Sequence, residues 1–201
     1  MDGDGQEGTV VFVMGVSGSG KSTIAARVAD AFGGEFIEGD DLHPAANVAK
    51  MASGEPLSDA DRMPWLESVA SAAASAALRG GGGRAAVAGA VAVATCSALK
   101  SAYRRRLRDH VALRAGKKHT RVVFLFVQIA RAVVAARLSR RVGHFMPAAL
   151  LDSQFAALET PSPREEPDVL FLNVQGEESP EQLADEAISL VSAALQIPRK
   201  T

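Results

Sequence analysis

The sequence predicts an α/β fold in which a parallel five-stranded sheet carries helices on both faces. Apolar, β-branched runs alternate with stretches of helical periodicity, and the first run passes through a glycine-rich loop straight into a helix. No internal repeat is visible that would indicate a solenoid instead. Parallel strands joined through helices are covered on both sides, and such sheets bind ligands beyond the C-terminal ends of their strands.

The elements follow in order. Thr9 to Met14 reads as a buried strand and Thr23 to Ala29 as the helix after it. Gly34 to Glu38 is a second, short strand. Two helical stretches come next, Pro44 to Ser53 and Ala60 to Leu78, with Pro64 expected in the first turn of the latter, where a missing N–H does little harm. Gly80 to Gly83 closes that helix as a flexible joint. Ala85 to Ala94 is the third strand candidate; its alanines and Gly89 are weak strand formers and leave the register open. A helix from Ser97 to Ala115, a strand from Val122 to Val127, a helix from Ala130 to Val142 and a last strand from Val169 to Val174 complete the alternation. Ser179 opens the closing helix with Pro180 in its first turn, and Leu183, Ala187, Leu190, Val191 and Leu195 form its apolar face.

The chain has 201 residues, 47% of them hydrophobic, which fits one domain over residues 9–197 behind a disordered tail at 1–8. A net charge of −1 gives no global field for nucleic acid or an acidic membrane surface. Arg104, Arg105, Arg106 and Arg108 form a local basic cluster, readable as a phosphate contact or as a solvated helix face. Cys96 is the single cysteine, which excludes an internal disulfide and fits a reducing, cytoplasmic location. No uncharged apolar run of about 18 residues suggests a membrane span, and the short acidic start lacks the character of a transit peptide.

Gly15-Val16-Ser17-Gly18-Ser19-Gly20-Lys21-Ser22 fits the phosphate loop G-x-x-x-x-G-K-[ST] at every constrained position, between a strand and a helix as that motif requires. Small residues let several backbone N–H groups converge on one anion at the positive end of a helix, so Gly15 through Ser22 and the following Thr23 are the nucleotide-binding set. Lys21 reaches the β and γ phosphates of ATP, and the Ser22 hydroxyl is the ligand for Mg²⁺. Asp40, at the end of the second strand, falls on the same sheet edge; it would accept a proton from an attacking alcohol or hold Mg²⁺ through water, or else cap the next helix.

Five blocks resemble the gluconokinases of the P-loop kinase superfamily, from Val13 to about Leu158. They are Met14 through Ser22; Gly39-Asp40 with His43-Pro44, Asn47 and Lys50-Met51; Gly54 with Pro56-Leu57, Asp59, Asp61-Arg62 and Pro64-Trp65-Leu66; Cys96 through Lys100 with Tyr103-Arg104; and Gly143-His144-Phe145 leading to Ser153-Gln154-Phe155 and Glu159. The resemblance implies a P-loop kinase fold with a mobile lid near residues 137–150, and the reaction of ATP with D-gluconate to give ADP and 6-phosphogluconate. It implies Lys21, Asp40, Arg137 and Arg141 as catalytic residues, the two arginines sharing a helix face toward the transferring phosphoryl group. Asp40, His43, Asn47, Lys50, Arg62, Lys100, His144 and Gln154 are the implied substrate set. Arg62, with its planar fork, is the best partner for a carboxylate; the alternative is a surface ion pair with Asp59 or Asp61. Trp65 reads as core rather than sugar platform. Related enzymes are often homodimers, although no interface is legible.

The pattern departs from the family at Arg105, a base in place of an acid, in the alanine-rich third strand, and at Met146-Pro147, which would stiffen the start of the next helix. Rival readings are a shikimate or nucleoside monophosphate kinase, and a catalytically inactive nucleotide-binding protein. A GTPase is excluded by the lack of a guanine-reading Asn-Lys-x-Asp segment.

Overall fold

The structure is a computed structural model that describes residues 8–79, 90–116, 118–139 and 148–196. Its elements in chain order are β1 (Gly8–Met14), α1 (Lys21–Phe32), β2 (Glu35–Ile37), a 3-10 turn (Gly39–Leu42), α2 (Ala45–Ala52), α3 (Asp59–Leu78) and β3 (Val91–Cys96). There follow α4 (Ser101–Ala115), β4 (Thr120–Ile129), α5 (Arg131–Ser139), α6 (Ala148–Ala157), β5 (Val169–Val174) and α7 (Pro180–Leu195). The five strands are all parallel, as expected, and pair in the order β2-β3-β1-β4-β5.

Alternation along β1 divides the core. Val11 and Val13 face one layer, with Ile24, Ala25 and Val28 of α1, Val134 of α5 and Ala187 and Val191 of α7. Val10, Phe12 and Met14 face the other, with Trp65, Leu66 and Val69 of α3 and Tyr103, Leu107 and Val111 of α4. The same layer explains the alanine-rich strand. Ala92 and Ala94 of β3 meet Ala70, Ala73, Ala74 and Ala77 of α3, so small side chains on both surfaces let helix and sheet approach closely.

Several boundaries differ from the expectations. Gly8 belongs to β1 rather than a tail, its N–H donating to His119 O at 3.1 Å. β3 runs from Val91 to Cys96, with Thr9 opposite Val91 and Met14 opposite Cys96, which fixes its register; residues 85–89 and Gly80 to Gly83 lie outside the described residues. Helix α3 starts at Asp59 because Ser58 makes a capping box with Asp61: Ser58 Oγ accepts from Asp61 N at 3.2 Å and Asp61 Oδ2 from Ser58 N at 2.8 Å. Pro64 therefore sits in the second turn, not the first. It is tolerated there because it and Ala60, whose carbonyl loses its helical partner, are both exposed to water.

Helix α4 begins at Ser101, not Ser97. Ala98 is buried with φ of 43°, in the left-handed region, and Lys100 is extended, so Ser97 to Lys100 form a turn instead of a helical start. The end of the predicted helix after Ser139, and the lid residues 140–147, lie outside the described residues. The final helix starts as read, Ser179 and Gln182 forming its capping box.

Candidate active site

The phosphate loop leaves β1 at the C-terminal edge of the sheet, between its neighbours β3 and β4. Gly15 has φ of 139°, and a Cβ there would stand 2.9 Å from Val127 O of β4, so only glycine lets the loop turn so close to the sheet. Its N–H donates to Ser97 O at 3.2 Å, tying the loop to the turn after β3. Lys21 Nζ donates to Val16 O at 2.9 Å, curling the half-buried side chain back over the loop. Burial lowers the Lys21 pKa, and the charges of Asp40 and Glu38 oppose that shift. Burial also pushes the Cys96 thiol up to about 12, so it stays protonated and contributes no thiolate. Ser22 and Thr23 are exposed at the start of α1.

Two further residues hold the loop. Ser17 N donates to Gln154 Oε1 of α6 at 2.7 Å, and Arg137 of α5 donates through Nη1 to Ser19 O at 3.3 Å. Gln154, expected among substrate ligands, is therefore found on a loop amide. Arg141 and His144 lie outside the described residues.

Asp40 is exposed in the 3-10 turn after β2. The turn is anchored through Gly39. Its N–H donates to Thr95 Oγ1 at 2.8 Å and its carbonyl accepts from Trp65 Nε1 at 2.7 Å. A Cβ on Gly39 would fall 2.0 Å from Thr95 O. Thr95 in turn donates to Glu38. Thr95 and Glu38 were missed in the sequence; the signal was a hydroxyl inside an otherwise apolar strand. Trp65, 2% exposed, is a core residue as expected, and one face of its ring carries His43, with centroids 4.2 Å apart and planes 12° apart. Burial lowers the His43 pKa and Arg62 lowers it further, while Asp40 raises it.

The remaining polar residues form two ion-paired groups on either side of the α3 N-terminus. Asn47, buried, donates through Nδ2 to Asp61 O at 2.9 Å and lies 3.4 Å from His43 Nδ1. Lys50 donates to both oxygens of Asp61 at 2.9 Å. The Ser58 and Lys50 hydrogen bonds hold the Asp61 carboxyl down at about 2. Lys100 donates to Asp59 at 2.8 and 2.9 Å, and Tyr103 donates its hydroxyl to the same carboxylate. Arg62 donates to Leu57 O and holds its guanidinium 5.9 Å from the centre of the Tyr103 ring; these contacts differ from the expected alternative, an ion pair with Asp59 or Asp61. The charges of these groups are felt across the site: Asp40 raises the Lys21 and His43 pKa values, and Arg62 lowers those of His43, Asp59 and Tyr103.

The arginine cluster is resolved as well. Arg104 is 1% exposed and pairs with Glu166, Arg108 pairs with Glu166 and Asp168, and Arg106 pairs with Glu67. Neither expected role, phosphate contact or solvated face, describes Arg104 or Arg108. Arg105 alone of the four is simply exposed among these contacts.

A family model described as an AAA domain matches residues 10–161. The chain is 45% identical to a gluconokinase of Gluconobacter oxydans (strain 621H) over 88% of its own length and 87% of that protein's. It is 43% identical to the thermosensitive gluconokinase of Escherichia coli (strain K12), covering 83% of this chain and 80% of that one. The crystal structure of a gluconokinase from Sinorhizobium meliloti 1021 superposes with a TM-score of 0.74 at 37% identity, covering 94% of each chain. With the phosphate loop, the Asp40 turn and the His43 to Arg62 line all on one sheet edge, and with relatives this similar over most of their length, the chain belongs to the gluconokinase family.

Proposed function

We propose that this protein transfers the γ-phosphoryl group of ATP to the 6-hydroxyl of D-gluconate, giving ADP and 6-phospho-D-gluconate. The observation that carries this reading is the set of polar groups gathered beside the phosphate loop: Asp40 in the turn held by Trp65, His43 stacked on that same Trp65, and Arg62 and Lys100 flanking Tyr103. A chain with a primary alcohol at one end and a carboxylate at the other suits a site with an acceptor carboxylate at one end and cations at the other.

The loop amides and Lys21 would bind the phosphates, and Asp40 would take the proton of the 6-hydroxyl as its oxygen attacks phosphorus and ADP departs. Arg137, already beside the loop at Ser19, would meet charge developing on the phosphoryl oxygens. His43, held neutral by burial, would bond sugar hydroxyls, with Asn47 fixing its ring. The donor set fits Mg²⁺: the exposed Ser22 hydroxyl and the exposed Asp40 carboxylate are hard oxygen ligands, few in number, as suits an ion shared with phosphates and water. When bound, Mg²⁺ would neutralise phosphate charge. Among the described residues no helix is long and apolar enough to cross a membrane.

The test is phosphorylation of a panel of sugar acids, shikimate and nucleoside monophosphates with ATP and Mg²⁺. Turnover of D-gluconate in preference to the rest is expected; turnover of nucleotides or shikimate alone would overturn the reading.

A further inference from the structure

Asp59 sits where three groups of the site converge, and its role has so far been taken to be an ion pair. Lys100 donates to both of its oxygens and Tyr103 donates its hydroxyl to one of them. The ring of Tyr103 also lies 5.6 Å from Lys100 Nζ and 5.9 Å from the Arg62 guanidinium, so both cations flank the phenol that carries the hydroxyl. A carboxylate thus occupies the cationic end of the substrate line.

The contrast with Lys50 and Asp61 shows that this pairing is of another kind. Asp61 closes the capping box at the start of α3 and binds Lys50 as well, so removing it from Lys50 would disturb the helix start. Asp59 makes no cap bond, because Ser58 and Asp61 already complete the box in both directions. The exposures point the same way. The Asp59 side chain is 58% exposed while Lys100 is 29% exposed and Tyr103 is 1% exposed, so the donors are fixed inward and the acid lies on the water side. Its departure into solvent would cost little, since exposed ion pairs contribute little to stability.

Resting on the gluconate reading above, we propose that the Asp59 carboxylate is an internal stand-in for the substrate's carboxylate: Lys100, Tyr103 and Arg62 form the carboxylate subsite, and the incoming sugar acid displaces Asp59 from it. When a neutral polyol binds, Asp59 stays paired and the donors keep a partner, whereas an acid replaces it like for like; Asp59 thus narrows the preference for acids that the bare subsite would show.

The experiment compares D-gluconate with D-glucitol, its carboxylate-free counterpart, for wild type, Asp59→Ala, Asp59→Asn, Lys100→Ala and Tyr103→Phe. Removing the internal competitor in Asp59→Ala is expected to lower the KM for D-gluconate by about two- to fivefold, the range of an exposed ion pair, and to raise the gluconate-to-glucitol ratio of kcat/KM. Lys100→Ala and Tyr103→Phe are expected to raise the KM for D-gluconate and to shrink that ratio. Asp59→Asn keeps size and polarity and serves if the alanine variant does not fold; its KM falls in the same direction. A higher KM for D-gluconate in both Asp59 variants overturns the proposal, because Asp59 would then be orienting the cations for substrate. An unchanged ratio across all variants overturns it too. In either case wild-type turnover of D-gluconate leaves the functional reading standing, whereas wild type that phosphorylates no sugar acid overturns both.

Discussion

Arg104 and Glu166 form an ion pair inside the protein, Nη2 to Oε1 at 2.5 Å and Nε to Oε2 at 2.8 Å, with the two residues 1% and 8% exposed. The same guanidinium donates through Nη1 to the carbonyls of Ala98 at 3.1 Å and Leu99 at 3.3 Å. It thereby holds the left-handed turn whose neighbour Ser97 accepts from Gly15 of the phosphate loop and whose next residue is Lys100. One buried cation thus links the phosphate loop to the turn that carries Lys100.

Glu166→Gln should therefore destabilise the protein by about 3–5 kcal/mol at neutral pH, the cost of leaving a buried charge without its partner. The sign with pH follows from the Arg104 hydrogen bond, which holds the Glu166 carboxyl below its usual 4.5. A depressed carboxyl contributes stability that is fully present above the unfolded value and is lost as pH falls through the folded one. Urea denaturation should show the gap between wild type and Glu166→Gln narrowing below about pH 4.5.

Lys21→Ala and Asp40→Asn should each depress kcat severely, by about 10²- to 10⁴-fold on the usual scale of charge stabilisation and proton transfer. Asp40 is exposed in a turn held by Gly39, Thr95 and Trp65, so Asp40→Asn should leave the melting temperature unchanged. A large loss of kcat with a large loss of stability would show instead that Asp40 is part of the scaffold.

Gly15→Ala places a methyl group 2.9 Å from Val127 O at a residue with φ of 139°. Both effects push the loop off the sheet, at about 1–3 kcal/mol for the backbone strain. Calorimetry should find ATP binding lost while far-ultraviolet circular dichroism is retained, because the adjoining strand and helix are held by their own cores.

The sheet, its five strands and the phosphate loop were legible because their signals are local: β-branched runs, a glycine spacing, a capping serine. At α4 and β3 the reading fell short because contacts from distant residues decide the structure. Ser97 to Lys100 have helical periodicity continuing into α4, yet Arg104 and Gly15 bind their carbonyls and keep them out of the helix. The alanines of β3 are weak strand formers alone and become suitable against the alanine face of α3. In the site, Asp40, His43 and Arg62 could be named from the resemblance, but Thr95, Glu38 and the roles of Asp59 and Tyr103 arise only when β3 and α4 come beside the α3 N-terminus.

Arg62→Ala should chiefly raise the KM for the sugar acid, by about tenfold or more for a lost charge-assisted bond, with a small change in kcat. The guanidinium is kept in place by Leu57 O and the Tyr103 ring and not by the helix-start carboxylates, so it is open to a ligand. Unchanged KM in steady-state kinetics would place the carboxylate elsewhere.

His43 and Trp65 connect the proposed sugar site to the position of Asp40. Trp65 Nε1 fixes the Gly39 carbonyl next to Asp40 while its ring carries the imidazole of His43. Burial lowers the His43 pKa below 6.5, so the ring is neutral at pH 7 and takes a proton only at lower pH than a free histidine. A protonated ring loses its acceptor nitrogen and cannot serve both Asn47 and a sugar hydroxyl as it did. The acid limb of the pH profile of kcat/KM for D-gluconate should therefore have its midpoint below 6.5, and His43→Gln should remove that lower inflection. Trp65→Phe keeps most of the packing but leaves Gly39 O without its donor, at about 1–3 kcal/mol. It should lower kcat as well as stability, because the freed turn no longer holds Asp40 against the phosphate loop; a loss of stability with kcat intact would show that the Asp40 turn is held by Thr95 alone.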